Sequence, residues 1–297
     1  MARTSQDGGA REQARKMQQE QERKERMRSL LLRLGVVAVA VAVVAALTLY
    51  VVNRGGDDGG GQYTTGAAPS VANEEGGITL TSSTELAEGD DLGEVSSDDV
   101  PGGDGMVPGG VETEEGEVPH VVIYTDPSCP SCQQFDAENH EQIGQWLDAG
   151  EITAEYRSVN LVNPQYAQRA NAASACVAED SPESYFDFLG QATLGGEQSV
   201  DQLVSAAEGM GADISECMED TTFHAFTGYT TTQAQTQESF RGTPTIFVDG
   251  EPLEGWQEGA FTEAVNSAIE DHGGDADEDA DGDADEDADE EDAAQSE

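Results

Sequence analysis

Lysine is missing from most of this chain. Lys16 and Lys24 are the two it has, both within the first 33 residues, and from residue 54 onward four arginines face 56 Asp and Glu. The formal net charge is −48. A surface so short of cations repels a phosphate backbone, which excludes nucleic acid as a partner. Cysteine is limited to Cys129, Cys132, Cys176 and Cys217. One Cys-x-x-Cys pair is present and a second is not. Cys176 and Cys217 follow at long intervals, which speaks against a zinc site built from paired cysteines. The four histidines are scattered and stand near no evident nucleophile, and His120 reads as a strand-boundary residue.

One long hydrophobic run breaks the polar texture. Leu34 to Asn53 is uncharged, nearly all apolar and about as long as a bilayer-crossing helix. Nine basic residues precede it against five acidic ones, while Arg54 is the one cation after it before Arg157. The positive-inside rule places residues 1–33 in the cytoplasm and the remainder outside. A cleaved signal peptide is the rival reading. The long arm and the sequence Leu47-Thr-Leu-Tyr-Val-Val, which offers no small-x-small cleavage site, favour an uncleaved anchor. All four cysteines then lie in an oxidising exterior, where an even count suits disulfides.

Residues 54–117 are rich in Gly, Ser, Thr and acids and read as an extended linker. Within them Gly76 to Ser82 alternates apolar and polar residues, a candidate edge strand or a sticky stretch of linker. From 118 to 272 the pattern is that of a folded domain. A short apolar strand at Val121–Tyr124 leads into a helix from Cys132 to Asp148, stopped at Gly150. A β-rich run follows at Ile152–Val162, then a helical block over about 163–239, a strand at Thr245–Val248, a turn at Asp249-Gly250 and a final helix at Phe261–Ile269. The order β, α, β, helical block, β, β, α predicts an α/β fold with a mixed sheet and an inserted helical subdomain. Residues 273–297 are an acidic tail without a possible core. Asp277-x-Asp279-x-Asp281-Gly282 starts like a calcium loop, but Ala288 stands where a bidentate Glu belongs.

The chemistry centres on Cys129-Pro130-Ser131-Cys132, delivered by a strand to the start of a helix. A thiol there meets unpaired N–H groups and the positive end of the helix dipole, and both favour the reactive thiolate. The spacing also lets the second sulfur close a disulfide with the first. Cys176 and Cys217 fall in the helical block and are expected to form a structural disulfide, with a second redox pair as the alternative.

Asp126, Cys129, Pro130, Cys132 and Phe135 match the pattern Asp-x-x-Cys-Pro-x-Cys-x-x-Phe, and Gly242 to Thr245 read Gly-Thr-Pro-Thr. On these two motifs the region from Val118 to Asp271 resembles the DsbA-like branch of the thioredoxin superfamily, exported or membrane-anchored thiol:disulfide oxidoreductases. The resemblance implies a thioredoxin-like sheet, Cys129 as nucleophile and Cys132 as resolving cysteine. It also implies a cis Thr243-Pro244 loop whose backbone pairs with substrate. No cofactor or metal is implied. The partners implied are exported cysteine-containing proteins and a membrane redox partner that recycles the pair.

Two departures stand out. Pro130-Ser131 lacks the histidine of the strongest oxidants of the family, and Ile123 occupies a position where relatives often carry an acid. Asp126, Asp136 and Glu138 are expected to raise the nucleophile's pKa and moderate its oxidising power. The function expected is donation of the Cys129–Cys132 disulfide to exported proteins. A reductase or isomerase of the same fold and a non-catalytic peptide-binding module remain as alternatives. Residues 118–272 carry a net charge of −23. About 1 M salt shortens the Debye length to roughly 3 Å and would screen that repulsion, so the composition suits a saline exterior; selection for solubility alone gives the same pattern.

Overall fold

The computed structural model describes residues 63–100, 108–113 and 116–278. The basic arm, the apolar run at 34–53 and the tail beyond 278 lie outside the described residues. Among the described residues no helix is long and apolar enough to cross a membrane.

The frame is a six-stranded sheet in the order β3-β2-β6-β5-β7-β8. Its members are β2 (Ile78–Ser82), β3 (Glu85–Leu86), β5 (His120–Thr125), β6 (Thr153–Ser158), β7 (Thr245–Val248) and β8 (Glu251–Pro252). β5 and β6 run parallel, and the other neighbours are antiparallel. Two further strands, β1 (Thr65–Ala67) and β4 (Glu94–Ser96), form a separate ladder. β5 is apolar on both faces because both are covered. Val121 and Ile123 enter the main core, whereas Val122 and Tyr124 enter a smaller one with Val111, Val159, Ala234 and Phe247.

The parallel pair requires a crossover, supplied by α1 (Pro130–Ala149). Its buried residues Cys132, Phe135, Asn139, Ile143, Trp146 and Leu147 recur at helical spacing and form one face. Pro130 at the first helical position is pre-organised for the start. Gly150 ends the helix at φ 67°, its N–H bonded back to Leu147 O and Trp146 O. Phe135 then meets Trp256 and Phe261 edge-on, at centroid distances of 5.4 and 5.0 Å. Phe261 belongs to α7 (Ala260–Glu278).

The helical block comprises α2 (Pro164–Asp180), α3 (Tyr185–Leu194), α4 (Val200–Met210), α5 (Ser215–Glu219) and α6 (His224–Thr236). α2 buries Ala170, Ala172, Ala173, Ala175 and Ala178. Cys176 of α2 and Cys217 of α5 are joined, closing a separation of 41 residues.

The expected linker at 54–117 requires correction. Much of it is folded into the domain, and the stretch at 76–82 is not an edge, because β2 lies between β3 and β6. Ile78 and Leu80 are buried, and Ile78 to Leu80 pair with Tyr156 to Ala154. Gly77 permits the approach: a Cβ there would sit 1.7 Å from Glu155 Oε1. A few well-placed apolar residues in acidic surroundings suffice here, which average composition conceals.

The cross-link closes a long loop within the helical block. On the chain-entropy account, closing a loop of this size stabilises by about 3–4 kcal/mol. Cys176→Ala/Cys217→Ala is expected to lose that much in urea unfolding while Cys129 alkylates at the wild-type rate. An unchanged unfolding midpoint would show that packing alone holds the block.

Candidate active site

The strand-to-helix turn is built around Asp126, which is fully buried. Its Oδ1 accepts from the Ser128 N–H at 2.7 Å and the Ser128 hydroxyl at 2.5 Å. Its Oδ2 accepts from the N–H groups of Leu161 and Val162 at 2.7 and 2.9 Å. The Ser128 hydroxyl in turn accepts from the Asn163 N–H at 2.9 Å. One carboxylate thus ties the turn after β5 to the turn after β6, and it fixes Cys129 as the cap of α1.

Cys129 and Cys132 are both free thiols. Cys132 faces the core at 1% exposure, beneath the Asp126 N–H, which lies 3.4 Å from its sulfur. Cys129 retains 6%, because Thr243 stands over it with its carbonyl 3.4 Å from Cys129 Sγ. The Thr243-Pro244 bond is cis. The structure therefore brings Cys129, Cys132, Thr243 and Pro244 together, and it places Cys176 and Cys217 apart from them in the helical block.

The two sulfurs differ in acidity. A hydrogen bond from Cys132 is the largest influence on Cys129. With help from the Thr243 side chain and the Cys132 and Ser131 N–H groups, and against desolvation, it brings the Cys129 pKa from 9.0 down to about 5. The same hydrogen bond, then burial, pushes Cys132 far up. α1 has no side-chain cap at Cys129 and no acid in its first turn, so its N–H groups stay available to a thiolate.

The expectation that nearby acids raise the nucleophile's pKa is not met. The leading influences on Cys129 are hydrogen bonds and burial, with no carboxylate among them. Asp126 is occupied by its four donors, Asp136 Oδ1 lies 3.2 Å from His140 Nδ1, and Glu138 accepts from Gln134. Ile123 is fully buried.

Sequence reasoning treated Asp126 as a charge and passed over its role as a clamp. It also passed over Arg157 and Tyr124, both buried beside the turn. The available signal was an arginine inside a β-rich run, two residues after a glutamate.

Two outcomes follow. A depressed thiol pKa stabilises the folded dithiol in full above the unfolded value of about 8.5, and the contribution disappears as pH falls through about 5. The unfolding free energy of the dithiol form, measured against the disulfide form, should therefore rise with pH across that window. Cys129 alkylation should show a midpoint near 5; a midpoint near the ordinary thiol value would contradict the geometry. Asp126→Asn presents an NH₂ to donors that need an acceptor and should cost about 2–4 kcal/mol, read by thermal unfolding.

The family model described as Thioredoxin matches residues 115–271. A model of an inhibitor of host cell division protein domain matches residues 9–59, outside the described residues. No curated protein sequence matches the chain. Among solved structures, the MdbA protein of Actinomyces oris, a thiol-disulfide oxidoreductase, is similar at 18% identity, covering 70% of this chain and 93% of its own, with a TM-score of 0.52. Oxidised BdbD from Bacillus subtilis is 20% identical over 58% of this chain and 99% of its own, with a TM-score of 0.46. Reduced DsbA from Mycobacterium tuberculosis is 20% identical over 60% and 97%, also at 0.46. The first likeness supports the fold, and the family model spans more than half of the chain. The strand-turn-helix dithiol therefore sits in a chain that belongs to the thioredoxin family.

Proposed function

We propose that this chain is a membrane-anchored thiol:disulfide oxidoreductase that passes its Cys129–Cys132 disulfide to exported cysteine-containing proteins. Residues 34–53 form the anchor, residues 1–33 stay in the cytoplasm, and the thioredoxin-like domain stands outside. The basic arm before the apolar run and the position of all four cysteines after it support this placement.

The observation that carries the reading is the unequal acidity of the two sulfurs. Hydrogen bonds that hold Cys129 as a thiolate stabilise the reduced form. A dithiol stabilised in this way makes the corresponding disulfide a stronger oxidant. That favours donation of the disulfide over reduction of others.

The exchange runs in two steps. A substrate thiolate attacks Cys129 Sγ, the Cys129–Cys132 bond opens, and Cys132 leaves and takes up a proton. A second substrate thiolate then attacks the substrate sulfur of the mixed disulfide, and Cys129 departs as a thiolate. Two electrons pass from substrate to the pair, which a membrane redox partner must reoxidise. The low pKa makes Cys129 a good leaving group.

Cys129→Ser should abolish oxidation of a reduced, unfolded substrate protein, while Cys132→Ser, offered a disulfide-bonded substrate, should accumulate mixed disulfides through attack of the Cys129 thiolate on the substrate disulfide. Equilibration with glutathione should place the pair at a potential above roughly −200 mV. A value near the roughly −270 mV of a dedicated reductant would reverse the direction.

A further inference from the structure

The face of the sheet opposite the main core holds a buried polar chain that the exchange chemistry leaves unused. Arg157, at 1% exposure, pairs through Nε with Glu155, also at 1%. Its NH2 donates to the carbonyls of Gly109 and Gly110 at 2.8 and 3.2 Å. Its NH1 donates to the Tyr124 hydroxyl at 2.7 Å, and that hydroxyl donates to Gln237 Oε1 at 2.6 Å. Burial raises the Tyr124 pKa, so the hydroxyl remains a neutral donor. The second Glu155 oxygen lies 3.2 Å from His120 Nε2.

Gln237 is where this chain of bonds meets the active site. It leaves α6 in extended conformation, is itself buried, and begins the six-residue passage to Thr243. Phe240, within that passage, tilts against the Tyr124 ring at 5.4 Å, and its N–H donates to Gln237 O. The passage ends with the Thr243 carbonyl 3.4 Å from Cys129 Sγ. A buried ion pair is weak support for stability, since well-packed apolar residues usually serve as well or better. A guanidinium that bonds Glu155, Tyr124 and the 109–110 backbone together fits a different task, that of fixing register.

We propose that Tyr124 is a positioning residue for the nucleophile: clamped by Arg157, its hydroxyl fixes Gln237 and so sets the loop that carries Thr243 to Cys129. This rests on the reading of Cys129 as the nucleophile. The Tyr124 hydroxyl bonds Arg157 and Gln237. It acts through the placement of Thr243, whose side chain is one of the groups that hold the thiolate.

The experiment uses the full chain and two readouts, the pH dependence of Cys129 alkylation by iodoacetamide and the oxidation of a reduced, unfolded protein. Tyr124→Phe and Gln237→Leu should each raise the alkylation midpoint by about one unit, a roughly tenfold loss of thiolate below it. The double variant should match either single one, because both cut the same link. Tyr166→Phe is the control. It removes another buried hydroxyl, bonded to Ala192 O in the helical layer, and should leave the titration unmoved. Should Tyr124→Phe fail to fold, Gln237→Leu carries the comparison. Folded variants that titrate like wild type overturn the proposal, and so does an equal shift in Tyr166→Phe. A wild-type protein that oxidises nothing while Tyr124→Phe still shifts the midpoint would sink the proposed activity and leave the positioning role standing.

Discussion

The arrangement of the active site depends on one buried anion. Asp126 has no exposed surface, and its two oxygens accept four donors from two loops. Hydrogen bonds to a charged group are worth about 1.5–3 kcal/mol each, so the cost of burying the carboxylate is met locally. The result is geometric. The chain turns from β5 into α1 within four residues, Cys129 becomes the helix cap, and Cys132 drops beneath the turn. No carboxylate is among the leading influences on Cys129, which are hydrogen bonds and burial. An acidic neighbourhood thus coexists with a Cys129 whose pKa falls to about 5.

The two faces of the sheet divide the work. On one, α1, α2, α3 and α7 bury a continuous apolar core, and a disulfide braces the helical block. On the other, a small apolar cluster surrounds the Glu155–Arg157 pair and Tyr124. The first face supplies stability. The second connects β5, which leads into the turn before Cys129, through Tyr124 to Gln237 at the start of the passage to Thr243. With so few cations in the domain, an arginine placed fully inside it is withheld from surface charge balance.

Much of this was legible in the residues. Val121 to Tyr124, the turn, the 3.6-residue recurrence from Cys132 to Leu147 and the stop at Gly150 announce a strand-turn-helix unit, and Gly242-Thr243-Pro244 marks the loop that meets it. What escaped notice lay in long-range pairing. Ile78 and Leu80 look like linker until β6 is seen beside them, and Gly77 has a purpose only because Glu155 presses against it. Asp126 reads as a charge near a thiol because nothing local shows that Leu161 and Val162 will turn their N–H groups toward it. The apolar run at 34–53 and the acidic tail beyond residue 278, both plain in composition, lie outside the described residues, while the first part of the expected tail continues α7 to Glu278.

The separation between the nucleophile and the loop that covers it has a consequence for biosynthesis. Thr243 follows Cys129 by 114 residues, and β7, which brings it to β5, is made only after the whole helical block. A nascent chain therefore presents its paired thiols well before the cover that completes their environment exists. Until β7 docks, Cys129 lacks the Thr243 contribution to its acidity and keeps more of the sluggishness of an ordinary thiol. Closure of the sheet then adds the Thr243 contribution to those that the turn and α1 already supply.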